Sequence, residues 1–216
     1  MTETEADTEN GGCDHGYAVT DCLWGTEPEP LIAALAGYRA LAGAVVLDAG
    51  CGEGRNTAYL AGAGAKVTAL DVSALALEHA RRCWPQLDGV EWEQADILTR
   101  PLPEAGYDIV VCDSVLHWLR DRQRAIAAVR LLQQATRPGG VHVVCSFNDR
   151  RLDYRSHATP PRCLLADAEL LGFYAGWNIL EHHDEDTVSS HADVPARHYH
   201  SVTKFIASRP FAGALG

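Results

Sequence analysis

The sequence predicts an α/β fold, a mostly parallel sheet with helices on both faces. Three observations predict it. Short apolar runs alternate with helix-forming stretches from residue 44 to residue 147. The first run passes through Asp48 into three glycines at alternate positions, Gly50, Gly52 and Gly54, and then into a helix former, Ala58-Tyr59-Leu60-Ala61. Successive runs close on acids: Asp48, Asp71, Asp96 and Asp113.

The elements follow in order. Residues 1–12 are polar and acidic and read as a disordered tail. A segment with Trp24-Gly25-Thr26 precedes a helix expected over residues 31–42. Residues 44–48 and 67–71 read as strands, and Ser73 caps a helix reaching Cys83. Residues 90–94 and 107–113 are strands, with an amphipathic helix over 121–136 that Pro138-Gly139-Gly140 stops. Residues 141–147 are a fifth strand. A polar, Arg- and Pro-rich loop then leads to a helix near 164–174. Strands at 177–181 and 199–207 are joined by a loop rich in His and Asp. The expected organisation is one domain over 13–209, with a short C-terminal tail at 210–216.

Composition narrows the function. The chain has 216 residues, enough for a full core, and 47% of them are apolar. No apolar run reaches membrane-spanning length. The N-terminus is acidic, without a basic-then-apolar leader, so the expected compartment is the cytoplasm. Seven cysteines lie without paired spacing and read as reduced structural thiols. A net charge of −11 argues against nucleic-acid binding. The expected partner is a small-molecule acceptor, and the expected state is a monomer or homodimer.

Strand, glycine turn and helix bring a backbone close to a nucleotide-type ligand, and ligands of open parallel sheets bind at the carboxyl ends of the strands. An acid ahead of the glycines suits a cationic amino group and sulfonium better than a pyrophosphate. A NAD site would show Gly-x-Gly-x-x-Gly; here the spacing is Gly-x-Gly-x-Gly behind Asp48.

These residues resemble the class I methyltransferases that use S-adenosylmethionine (SAM), over roughly residues 44–147. The resemblance implies a Rossmann-like seven-stranded sheet whose last strand is antiparallel. It also implies roles by position. Gly50, Cys51 and Gly52 border the methionine part of SAM, and Asp48 orients its amino group. Asp71, followed by Val72, takes the ribose hydroxyls, since two acceptor oxygens suit a vicinal diol. Asp96 receives the adenine amino group beside the Ile97 N–H, and Asp113 and Ser114 flank the methionine part.

A narrower resemblance, to the tellurite-resistance (TehB-like) methyltransferases, rests on the order of several stretches. These are Trp24-Gly25-Thr26-Glu27-Pro28, Glu53-Gly54-Arg55-Asn56, residues 170–177, and His198-Tyr199-His200 followed by 202–207. In that family the segment around Trp24 closes over the cofactor. The match spans most of 17–209, but residues 148–162 and 181–197 depart from it. Tellurite and selenite are therefore not carried over as acceptors. A soft nucleophile (thiol, selenol or chalcogen oxyanion) leads by resemblance. An O- or N-methyltransferase of a metabolite and a SAM-binding regulatory module remain open.

The acceptor side is expected where the sixth strand ends and the seventh begins. Five of ten histidines fall there: His182, His183, His191, His198 and His200. A neutral imidazole can take a proton near pH 7. His198 and His200, two apart, share one face of a strand. These two and His117 are the expected catalytic groups; Arg55, Trp118, His182 and His183 are expected to bind the acceptor. The same histidines also suit a polar rim or a metal site, but their spacing is not diagnostic and no metal is assigned.

Overall fold

The structure, a computed structural model, describes residues 14–152, 160–191 and 194–211. The tail expected at 1–12, residues 212–216 of the tail expected at 210–216, and residues 153–159 of the loop after the fifth strand lie outside the described residues.

Seven strands form one sheet in the order β3-β2-β1-β4-β5-β7-β6. They are β1 (Val45–Ala49), β2 (Lys66–Asp71), β3 (Glu91–Gln94), β4 (Tyr107–Asp113), β5 (Thr136–Leu152), β6 (Asn178–His191) and β7 (Val194–Ser208). Strands β1 to β5 pair in parallel, and β7 runs antiparallel between β5 and β6. The crossover helices are α3 (Arg55–Gly62), α4 (Ala74–Cys83), α5 (Arg122–Ala135) and the short α6 (Asp167–Gly172). Two more short helices, α1 (Asp14–Tyr17) and α2 (Pro30–Ala34), precede β1.

Alternation along the strands builds a core on each face. Val46, Val67, Ile109, Val111, Val143 and Ile206 meet Ile32, Leu35 and Leu60 on the α2/α3 side. Leu47, Leu70, Val110, Val144 and Phe205 meet Val129, Leu132, Leu170 and Tyr174 on the α5/α6 side. All of these are essentially excluded from water, at roughly 1.5–3 kcal/mol for each large side chain. The sheet is therefore a rigid shelf whose carboxyl edge carries the polar groups.

The structure departs from expectation at three elements. The helix expected over 31–42 stops early. After Ala34 the chain tightens into a 3₁₀ turn (Leu35–Gly37), and the Leu35 carbonyl accepts from both Tyr38 and Arg39 N–H. Helix α5 ends at Ala135, ahead of Pro138. There Thr136 turns extended, and its hydroxyl donates to the Leu132 carbonyl at 2.7 Å. The largest departure is the His- and Asp-rich "loop", which is strand. β6 pairs with β7 from Asn178 to His191. Its acids find partners across the ladder and on β5: Glu185 with Lys204, Asp186 with Ser201 and Arg150, Asp184 with Asn148. Such cross-strand pairs outweigh the poor strand propensity of Asp and Glu.

Candidate functional site

The glycine turn is built for close approach. Gly50, Gly52 and Gly54 all have positive φ (76°, 53° and 81°). A Cβ on Gly50 would lie 2.2 Å from Val115 Cγ2, so only hydrogen fits there. The Gly50 and Cys51 amides both donate to the Leu70 carbonyl, which pins the turn to β2. The Cys51 side chain is buried, with its Sγ beside the Gly52 carbonyl. Asp71 closes the turn from the β2 side. Its Oδ2 accepts the Gly52 N–H at 2.7 Å and its Oδ1 the Ser73 N–H at 2.8 Å. Each oxygen keeps lone-pair capacity for a hydroxyl. The neighbouring Val72 carbonyl accepts from Gln94. Beyond β3, Asp96 Oδ1 accepts the Leu98 N–H, with Ile97 buried beside it.

Two further acids differ in how they are neutralised. Asp48, 1% exposed, accepts from the Thr57 hydroxyl at 2.6 Å. Burial pushes its pKa up to about 7, the Thr57 bond opposes the rise, and the charges of Asp113 and Asp71 add to it. A buried carboxylate so poorly compensated suits a cationic ligand group. Asp113 is instead saturated by the protein. Arg55 reaches its Oδ2 at 3.0 Å, Asn56 donates to the same oxygen at 2.9 Å, and Ser114 donates to Oδ1. Arg55, expected against the acceptor, is thus committed to Asp113. Ser114 itself sits at a positive φ of 61°.

A segment ahead of β1 lies across the turn. The Tyr17 hydroxyl is 3.0 Å from where a Gly52 Cβ would be. Glu53, 6% exposed, accepts the Cys22 N–H at 2.8 Å on Oε1 and the Leu23 N–H at 2.6 Å on Oε2. His79 meets the same carboxylate at 2.8 Å, and Trp84 donates to the Glu53 carbonyl. Further on, the Glu29 N–H donates to Asn56. Trp24, on the same segment, is 40% exposed. Sequence reasoning carries Glu53 only as part of the stretch 53–56, without a role, and does not single out His79. The available signal was an acid set between two glycines of the turn.

The other side of the site is a stack of rings. Phe147 stacks between His117 (centroids 4.2 Å apart) and His200 (4.3 Å), and His198 meets His200 edge-on at 4.6 Å. All three histidines are buried. His198 and His200 share the face of β7 that also carries Lys204, which pairs with Glu29 at 2.9 Å. Phe147 and Lys204 are contributors that strand-end position alone did not reveal.

Three expectations need correction here. His117 does not suit a general base. Burial, with a smaller effect from His200, lowers its pKa to about 3, and its Nδ1 accepts the Phe147 N–H at 3.1 Å. Trp118, partly buried, packs 5.1 Å from the His117 ring. His182 and His183 point to opposite faces of β6. His182 pairs with Asp167 on the α6 side, and His183 pairs with Glu181, which accepts from Tyr38 on the other side. By strand alternation His182 cannot share an ion or ligand with His198 and His200. The side chain of His191 lies outside the described set.

The family Methyltransf_25, described as a methyltransferase domain, matches residues 46–140. Residues 46–140 match a methyltransferase domain, and the chain folds as SAM-dependent methyltransferases do. An uncharacterized methyltransferase of Mycobacterium tuberculosis is 38% identical over 102 residues, 47% of this chain and 50% of the relative. A malonyl-[acyl-carrier protein] O-methyltransferase of Pectobacterium atrosepticum is 35% identical over 147 residues, 68% of this chain and 53% of the relative. The chain spans about half the length of these curated relatives. Among solved structures, TehB from Haemophilus influenzae superposes with a TM-score of 0.72 at 21% identity, covering 84% of this chain and 62% of that one. That likeness shows the fold. The matched residues 46–140 contain the glycine turn, all four strand-end acids and His117, but not Phe147, His198 and His200 of the ring stack.

Proposed function

We propose that the protein transfers a methyl group from SAM to a small-molecule acceptor that arrives as an anion. A single observation carries the cofactor half: a glycine turn with no room for a side chain at Gly50, set between the buried Asp48 and the amide-clasped Asp71. This donor set fits SAM. Asp48 would face the amino group, Asp71 the ribose, and Asp96 with Ile97 the adenine. Val72 and Ser114 would line its flanks, with Asp113 engaged by Arg55, Asn56 and Ser114 and fixing their positions beside it. When bound, SAM supplies an electrophilic methyl on a sulfonium.

The protein's own groups position the acceptor and shut out water. The buried His198 and His200 and the half-buried Phe147 form a wall on the α2/α3 face of the sheet. His117 supports this wall as a neutral ring that takes no proton near pH 7. An acceptor that is already ionised needs no strong base, only alignment of its lone pair with the methyl. A thiolate, selenolate or chalcogen oxyanion meets that need, and the TehB likeness points the same way. An oxygen acceptor is the second reading. It is favoured by relatives named for O-methyl transfer to a malonyl group and for methyl transfer to trans-aconitate. The working domain is taken as residues 13–209.

The test is isotope-labelled SAM incubated with thiols, selenite, tellurite, phenols and di- and tricarboxylic acids, with products read by mass spectrometry. A label stable to mild alkali on sulfur or selenium supports the first reading. A label released as methanol supports a carboxylate oxygen. No transfer to any member, with SAM bound, would favour a regulatory SAM-binding module.

A further inference from the structure

We propose that Cys22 and Cys83 are a reversible dithiol–disulfide pair that staples the segment 14–30 to α4. Their Sγ atoms lie 3.0 Å apart, roughly 1 Å beyond a disulfide bond of ~2.05 Å, with both thiols free. The chain is pinned around this contact. Glu53 holds the Cys22 and Leu23 amides, and Asp21 pairs with Arg82 at 2.9 Å, next to Cys83 at the end of α4. Cys22 itself is turned to a positive φ of 56°. The other described cysteines, Cys51, Cys112, Cys145 and Cys163, are buried, whereas Cys22 and Cys83 are both partly exposed.

The chemistry needs an oxidant, and a low-molecular-weight disulfide supplies one. Either Sγ can make the first attack, with its proton going to the small thiol it expels. With Cys22 first, its sulfur attacks one sulfur of the small disulfide and expels the first small thiol. Cys83 then attacks the Cys22 sulfur, expels the second small thiol, and passes it the Cys83 proton. The pair is oxidised by two electrons and the small disulfide is reduced to two thiols.

The consequence rests on the cofactor reading above. The segment lies on Gly52, Glu53 and Asn56, so a covalent staple would hold it across the turn and slow SAM exchange. The experiment equilibrates the full chain in mixtures of reduced and oxidised glutathione, alkylates the remaining thiols, and cleaves before aspartates. Cleavage isolates Cys22 in peptide 21–47, apart from Cys13, and Cys83 in peptide 71–87. The expected product joins these two peptides, is about 2 Da lighter than their sum, and is reversed by dithiothreitol. It should vanish in Cys22→Ser and Cys83→Ser but persist in Cys163→Ser. Absence of the link at every ratio, or a Cys83 link to another cysteine, overturns the pair.

Release of bound SAM should slow about tenfold or more on oxidation, and not in Cys83→Ser. A linked protein with unchanged release overturns the staple's role. Failure of the reduced protein to bind SAM overturns the cofactor reading, while the linked peptide still assigns the pair.

Discussion

At the carboxyl ends of β1, β2 and β4 the protein presents carboxylates, clasped by backbone amides, a hydroxyl and a guanidinium. At the ends of β5 and β7 it presents packed rings: Phe147 between His117 and His200, with His198 behind. The first region would hold a ligand through backbone geometry and charge, and its glycine turn with Asp48 falls on one short stretch of chain. The second is assembled from three separate stretches, at residues 117, 147 and 198–200, and its properties come from burial. One of the three histidines expected to be catalytic, His117, is thereby turned from a proton acceptor into packing. Charge recognition is written locally, whereas a desolvated wall exists only after folding.

The sharpest way to break this contrast is Gly50→Ala. The new Cβ would collide with Val115 and strain a positive φ. SAM affinity should fall at least about a hundredfold in calorimetry, with a lowered urea midpoint. Retained affinity would mean that the turn does not need close approach. Asp71→Ala comes next, with a loss of about 10- to 100-fold in SAM affinity as charged hydrogen bonds disappear. Unchanged affinity would reduce Asp71 to a clasp for Gly52 and Ser73. On the ring side, His200→Ala or His198→Ala should lower turnover about tenfold or more while leaving SAM affinity nearly intact. If neither moves kcat, the wall has no part in handling the acceptor.

A fourth measurement uses Asp48. Its folded pKa, about 7, is raised above the unfolded carboxylate value, so the folded state holds an extra proton between pH 4 and 7. Stability from this group is therefore present at low pH and declines as pH rises toward 7. A cationic ligand must displace that proton. SAM affinity should then weaken as pH falls below about 7, by up to about tenfold per unit, with proton release seen as buffer-dependent heat. Asp48→Asn should flatten the profile; an unchanged slope would place the proton elsewhere. The smallest effect is expected from Glu53→Gln. It weakens two amide bonds to residues 22 and 23, speeds SAM release a few-fold, and exposes the 14–30 segment to proteolysis. Unchanged release and proteolysis would remove Glu53 from any part in holding that segment.

The legibility of the sequence follows the same division. Strand ends at Asp71 and Asp113 and the Ser73 cap are readable because period, cap chemistry and glycine spacing are local signals, whereas the antiparallel seventh strand follows only from the family resemblance. The Asp- and His-rich stretch after residue 181 reads as loop because its polarity hides a hairpin ladder with β7, whose partners lie from 23 residues ahead at His182 to 3 ahead at His191. His182 and His183 looked like one cluster, but adjacent strand residues face apart. Cys22 and Cys83, 61 positions apart, carried no spacing signal at all. Arg55 looked available for an acceptor because its partner Asp113 is 58 residues away.

The most direct test of the central claim is calorimetric titration of the full chain with SAM, its demethylated product and NAD. The account predicts saturable binding of SAM and of the product and no binding of NAD. Binding of NAD without SAM would contradict it.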